Sequence, residues 1–290
     1  MNKIKFAYFG GEPLGVPVLE ALKAADLLPS LIVCNPDRPS GRGHMLTPPP
    51  VKVWAEENGI EVFQPTNYKD DVAKSRLEAE DWDVFVVVAY NFILPEWFLH
   101  LPKHQTLNVH PSLLPKLRGA SPIRTAILKD LREDIGVTVM LLDSEMDHGP
   151  ILDQEQVYIE DENWPLSGPN LDQLLATTGG ELLAEIIPAW VAGELSPQEQ
   201  DHELATYCSR FEKGQNELTI DPTRLPAGDK AWNMWLKINA FTGIGDTFFM
   251  HEGKRIKIKA ARFENNSLQI LRVIPEGKKE IDFSEYLKQI

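Results

Sequence analysis

The sequence predicts an α/β domain with a parallel-rich sheet, followed by a small C-terminal β barrel. Three observations predict it. Apolar runs of strand length alternate with amphipathic stretches of helical spacing through the first half of the chain, the rhythm of βαβ units. Residues 192–206 are polar, acidic and poor in large apolar side chains, as a linker or surface crossing would be. Beyond them, short strand-like runs are punctuated by Glu252-Gly253, Asn265-Asn266 and Glu276-Gly277, pairs suited to tight turns. At roughly 150 residues per domain, 290 residues leave room for about two.

Taken in order, Lys5 to Phe9 reads as strand, Gly15 to Ala25 as helix, Leu31 to Cys34 as strand and Pro50 to Asn58 as helix. Asp83 to Ala89 is apolar throughout, which suits a strand buried on both faces, and Thr106 to Val109 follows as another. Ser121 to Lys129 reads as helix and Gly136 to Asp143 as strand. Leu171 to Val191 carries Leu171, Leu174, Leu175, Leu182, Leu183, Ile186 and Ile187 at helical spacing, with interruptions expected at Gly179-Gly180 and Pro188. In the last part Thr247 to Met250, Arg255 to Arg262, Leu268 to Ile274 and Glu280 to Phe283 read as strands. The predicted domains are therefore 1–191 and 207–290, joined by 192–206.

Composition bounds the function. With 43% hydrophobic and 25% charged residues the chain is an ordinary globular one, not a disordered or collagenous one. No run reaches the ~18 apolar residues of a membrane span, and the N-terminus enters a strand without a cleavage region, so the expected compartment is the cytoplasm. Two cysteines, Cys34 and Cys208, suit neither a disulfide framework nor a zinc site. The net charge of -14 argues against tight, indiscriminate binding to nucleic acid, but it is unevenly spread. Residues 1–206 carry 15 basic against 32 acidic side chains, and residues 207–290 carry 14 against 11.

The turn Phe9-Gly10-Gly11-Glu12-Pro13-Leu14-Gly15 stands where a dinucleotide fingerprint would, but does not fit G-x-G-x-x-G. Glu12 and Pro13 replace the neutral N–H surface that pyrophosphate needs, so a tight turn is the better reading. The densest polar constellation is Asn108-Val109-His110-Pro111-Ser112-Leu113-Leu114-Pro115, followed by Arg118-Gly119-Ala120-Ser121-Pro122. Asn108 and His110, two apart on an extended chain, project to one side, where an amide N–H and a protonated imidazole would together hold the oxyanion of an acyl transfer. Asp147 is the third candidate, orienting the imidazole or taking a proton, with Asp143 and Glu145 as rival carboxylates. A Ser112 nucleophile competes, but without a G-x-S-x-G elbow and too close to His110 to meet it easily. The long connection from Asn35 to Pro50, with Arg38, Arg42, His44 and then Lys52, offers phosphate contact or local ion pairs. On the strand from Arg255, Lys257 and Lys259 share a face opposite Ile256 and Ile258, giving either a polyanion surface or a solvated one.

These motifs together resemble the folate-dependent formyltransferase family: Asn108 and His110 as Asn-x-His, Ser112 to Pro115 as Ser-Leu-Leu-Pro, and the distal Asp147. Pro36-Asp37-Arg38-Pro39 with Gly41-Arg42-Gly43, Pro50-Val51-Lys52-Val53 and Phe63-Gln64-Pro65 are similar to the branch acting on methionyl-tRNA. The resemblance implies a Rossmann-like catalytic domain over 1–191, a linker over 192–206 and, over 207–290, a barrel of the oligonucleotide-binding type that docks tRNA. It implies formyl transfer from 10-formyltetrahydrofolate to the α-amine of initiator methionyl-tRNA, without a metal, by Asn108, His110 and Asp147. Val88, Ala89, Tyr90, Ser112, Leu113, Leu114 and Pro115 would border the folate, and Arg42, Lys52, Lys257 and Lys259 would face tRNA. The alternative is an amino-sugar nucleotide N-formyltransferase using the same donor. A folate- or nucleic-acid-binding module without activity would leave the Asn-His-Asp constellation without a task. The chain departs from the family pattern at Glu12 and Leu14, at Asn91 and at His148.

Overall fold

The computed structural model describes residues 3–40 and 44–290. The chain divides into two compact units, the first comprising Met1–Gly119, Ile135–Val157 and Asp172–Tyr207, the second Ala120–Asp134, Tyr158–Leu171 and Cys208–Ile290. In chain order the elements are β1 (Phe6–Gly10), α1 (Gly15–Ala24), β2 (Leu31–Val33), β3 (Arg38–Ser40), β4 (Met45–Thr47), α2 (Pro50–Glu57), β5 (Glu61–Phe63), α3 (Asp71–Glu78), β6 (Val84–Val88), α4 (Glu96–Leu99), β7 (Thr106–His110) and β8 (Arg118–Gly119). There follow α5 (Pro122–Leu128), β9 (Gly136–Leu141), β10 (Ile151–Gln156), α6 (Gly168–Val191), β11 (Tyr207–Cys208), α7 (Asp229–Phe241), β12 (Phe248–His251), β13 (Lys254–Glu264), β14 (Ser267–Pro275), β15 (Ile281–Asp282) and α8 (Phe283–Leu287).

The first unit is built on a seven-stranded sheet ordered β10-β9-β7-β6-β1-β2-β5. Strands β5, β2, β1, β6 and β7 are parallel, and β9 and β10 each run antiparallel to their neighbours. Every residue of β1, β2 and β6 is buried, which is why these strands are apolar without alternation. Strand order reverses about β1, between β2 and β6, and open α/β sheets bind ligands beyond the carboxyl ends of strands at such a reversal. Phe9, Phe85 and Phe98 close the core there, with ring centroids 4.7 to 4.9 Å apart.

Helix α6 corrects two expectations. It runs through Gly179-Gly180 and Pro188 without a break. A Cβ on Gly179 would lie 2.7 Å from Val109 Cγ1, and one on Gly180 would lie 2.8 Å from Val18 Cα, so these glycines permit close packing on the sheet and on α1. It is also long and apolar enough by composition to cross a membrane, contrary to the hydropathy reading, but half of its most apolar window is buried inside the protein. The segment 192–206, expected to be a linker, falls within the first unit, where Gln200 is 5% exposed. The loop after β2 contains the β3-β4 hairpin, which short exposed strands kept below the level of a periodic signal.

In the second unit an antiparallel sheet runs in the order β12-β13-β14-β15, a small β domain at the C-terminus where a barrel is expected from the sequence. Ile256, Ile258, Leu268, Ile270 and Val273 pack with Ala231 and Ile238 of α7 and Phe283 and Tyr286 of α8. The same unit holds a polar pin: Asp130 accepts from the indole N–H groups of Trp164 at 2.6 Å and Trp232 at 2.9 Å, and from Arg132 Nε at 3.1 Å.

Candidate active site

Strand alternation places Asn108 and His110 on one side of β7, and tertiary packing buries both, to 9% and 4% exposure. Among the described residues the Asn108 amide has no hydrogen-bond partner. With the residue 9% exposed, the amide keeps its two N–H donors free for a bound group. His110 is held differently. Its Nε2 lies 3.0 Å from the carbonyl of Leu117, which accepts only, so Nε2 carries its proton and Nδ1 faces the Asp147 carboxylate at 3.6 Å.

The Asp147 carboxylate is gripped on its other oxygen by the backbone N–H of Gly119 at 2.7 Å. Its backbone sits in the left-handed region, φ 52°, and Gly149 behind it leaves no room for a side chain: a Cβ would lie 2.1 Å from the Leu141 oxygen. The rival carboxylates separate from it. Asp143 is engaged with the imidazole of His148 at 2.7 Å and with the N–H of Glu145 at 2.9 Å, and Glu145 is exposed.

Ser112 donates its hydroxyl to the Lys116 carbonyl at 2.6 Å, which removes it as a nucleophile activated by His110. The loop it begins is braced by Thr138, whose hydroxyl donates to Ser112 O and accepts from Leu114 N, and by Gln154, which donates to Leu114 O. Leu114 is buried, and Leu113 lies against Gly136. Beside this loop, Val88 ends β6, Ala89 takes φ 47°, and Tyr90 turns into an aromatic cluster with Phe9, Tyr68 and Phe92. The Tyr90 and Tyr68 hydroxyls meet at 2.9 Å, and burial pushes both phenols up. Two departures from the family pattern answer each other here: Asn91 donates to the Glu12 carboxylate, tying the turn after β1 to the turn after β6.

The four cations proposed for tRNA fare unequally. Arg42 lies outside the described residues. Lys52 is closed onto Asp37 and Gln64; Gln64 and Lys52 hold the Asp37 carboxyl below its ordinary value, and Asp37 holds the Lys52 ammonium above its own. Lys257 and Lys259 lie on one face as alternation predicts and share the single carboxylate of Asp246, at 3.9 and 2.7 Å. One net positive charge therefore remains there. A groove of about 480 Å³ in the same unit is lined by Phe211, Phe241, Lys213, Arg255 and Lys257.

Sequence reasoning missed Gln200 altogether and passed over Arg118 and Leu117 as loop residues. No local pattern marks Arg118 or Gln200, since the contact between them spans 82 residues and that from Gln200 to Asp147 spans 53, while Leu117 enters only through its carbonyl, which meets His110 seven residues earlier.

The family model described as formyl transferase matches residues 2–183. The chain is 40% identical over 230 residues to the methionyl-tRNA formyltransferase of Methylococcus capsulatus, covering 78% of this chain and 73% of that protein. It is 33% identical to that of a Geobacillus species, covering 98% and 94%. Among solved structures, the Helicobacter canadensis N-formyltransferase in complex with folinic acid and dTDP-3-aminofucose superposes with a TM-score of 0.61 at 19% identity, over 90% of this chain and 89% of that one. The methionyl-tRNA formyltransferase of Clostridium thermocellum gives 0.59 at 14%, over 96% and 99%. These two structural likenesses bear on the fold alone.

Proposed function

We infer that this chain, which belongs to the methionyl-tRNA formyltransferase family, carries out its transfer through Asn108, His110 and Asp147. It is an enzyme that formylates initiator methionyl-tRNA, with a folate-type formyl donor. The specific donor we assign is 10-formyltetrahydrofolate. The neutral α-amine attacks the formyl carbon, and the carbonyl oxygen becomes an oxyanion. The Asn108 amide and the imidazole of His110 hold it, His110 being kept in place through Nε2 by Leu117. Asp147 takes the proton that the attacking amine gives up. The bond from carbon to the donor nitrogen then breaks as the proton taken by Asp147 passes to that nitrogen, which regenerates the carboxylate; a C–N bond forms as another is lost and no covalent enzyme intermediate arises.

The observation that carries this reading is the unpartnered Asn108 amide beside an imidazole whose other nitrogen is already clamped. Val88 to Tyr90 and the Ser112 to Pro115 loop are assigned to the folate, the second as a braced wall. Residues 207–290 are assigned to tRNA docking, with Lys257 and Lys259 as its phosphate contacts, and 1–191 to catalysis. The enzyme is incubated with 10-formyltetrahydrofolate and either charged initiator tRNA or an amino-sugar nucleotide. N-formylmethionyl-tRNA is the expected product, and formylation of the sugar nucleotide alone would overturn the assignment.

A further inference from the structure

Gln200 accepts at Oε1 from Arg118 Nε at 3.1 Å and Nη2 at 2.6 Å, and its Nε2 donates to the carbonyls of Asp147 at 3.0 Å and Gly149 at 2.7 Å. A guanidinium only donates and a carbonyl only accepts, so the amide fits one way round and every hydrogen and lone pair it has is engaged. The segment leading to it is pinned too: Gln198 and Ile151 exchange backbone hydrogen bonds of 2.8 Å in both directions. The two carbonyls that Gln200 holds bracket His148, in the turn where Asp147 takes its left-handed conformation.

These contacts close a circuit. Arg118 grips Gln200, Gln200 grips the Asp147 carbonyl, and the N–H of Gly119, the residue after Arg118, donates to the Asp147 carboxylate. The side chain and the backbone of Asp147 are thus both referred to the two residues of β8.

We propose that Gln200 is a positioning residue for formyl transfer, clamping the turn that aims the Asp147 carboxylate at His110. The proposal rests on the reading of Asp147 as proton acceptor. Glutamate at this position would keep the size and the Arg118 contact but set an acceptor against two carbonyls; methionine would keep the approximate volume and remove all four bonds.

Gln200→Glu and Gln200→Met are made in the full chain, alone and with Asp147→Asn, and steady-state kcat and KM are measured with charged initiator tRNA and 10-formyltetrahydrofolate. Each single Gln200 variant should lower kcat about 10- to 100-fold, the scale of a misplaced catalytic group, with KM for both substrates within about twofold. In the Asp147→Asn background either change should cost less than about twofold, because the residue acts only through that carboxylate. Wild-type kcat in Gln200→Glu, or an equal loss in both backgrounds, overturns the proposal. Asp147→Asn at the wild-type rate overturns the reading of Asp147 instead. Thermal unfolding accompanies each variant, and Gln200→Glu decides the matter if Gln200→Met unfolds below the assay temperature.

Discussion

The Lys52 ammonium donates to both oxygens of the Asp37 carboxylate, at 2.9 and 3.0 Å, and to the Gln64 amide oxygen at 3.0 Å. A cation that reads from the sequence as a phosphate ligand is neutralised by its neighbour, whereas Lys257 and Lys259 divide one carboxylate between them. Neutralising Lys257 and Lys259 together should therefore reduce the slope of log K for tRNA against log salt by about 0.7 to 0.9, one net contact's worth, and Lys52→Gln should leave it unchanged. Affinity titrations at several salt concentrations check this. A reduced slope in Lys52→Gln would show that tRNA displaces Asp37.

Asn108→Ala, His110→Ala and Asp147→Ala should each lower kcat by roughly 10² to 10⁴ while the fold is kept, the range for losing an oxyanion donor or a proton-handling group. Their losses should not multiply, because the three groups serve one transition state. Steady-state kinetics of the single and double variants measure this, and retention of more than about half the activity by all three single variants removes them from the chemistry.

Cys34 follows β2 with no exposed surface, and burial, which outweighs the nearby Lys52, pushes its thiol from an ordinary value near 9 up to about 12. At pH 8.5 roughly three thiols in ten thousand would be ionised, so iodoacetamide should leave Cys34 unmodified in the native protein and label it after unfolding. Because the folded pKa is the higher, this residue's contribution to stability is complete below pH 9 and is lost as pH rises toward 12. Peptide mapping after alkylation reads the first effect, and denaturant titrations across that range read the second. Native-state labelling at pH 8.5 would refute the assignment.

Asp130 joins Trp164, Trp232 and Arg132 in the second unit. Burial pushes its carboxyl up, but the two indoles and Arg132 outweigh burial and hold it below its ordinary 3.8. The folded pKa is the lower one, so the stabilisation is present above about pH 3.8 and is lost as pH falls through the folded value. Asp130→Asn should cost about 1 to 2 kcal/mol at pH 7, after allowance for the third of the side chain open to solvent, and should flatten the acid limb of stability. Urea titrations at pH 3 to 7 test it, and equal losses at every pH would exclude the charged contacts as the cause.

Local pattern alone determined much of this protein. An apolar run such as Val84–Val88 has few places to go but a doubly covered strand, and a period of two sets Asn108 and His110 on one side whatever surrounds them. The same period placed Lys257 and Lys259 opposite Ile256 and Ile258. Short elements escaped it, because Glu61–Phe63 and the β3-β4 hairpin have three residues per strand and draw their stability from neighbours. Only tertiary structure decided that Gly179 and Gly180 would allow close packing instead of ending a helix, that Asp37 would claim Lys52, and that Gln200 would lock the Asp147 turn through Arg118, 82 residues earlier in the chain. The physical reason is common to all three. A side chain's rotamer and hydrogen-bond partners depend on atoms that folding brings within about 3 Å, and sequence separation carries no information about that distance.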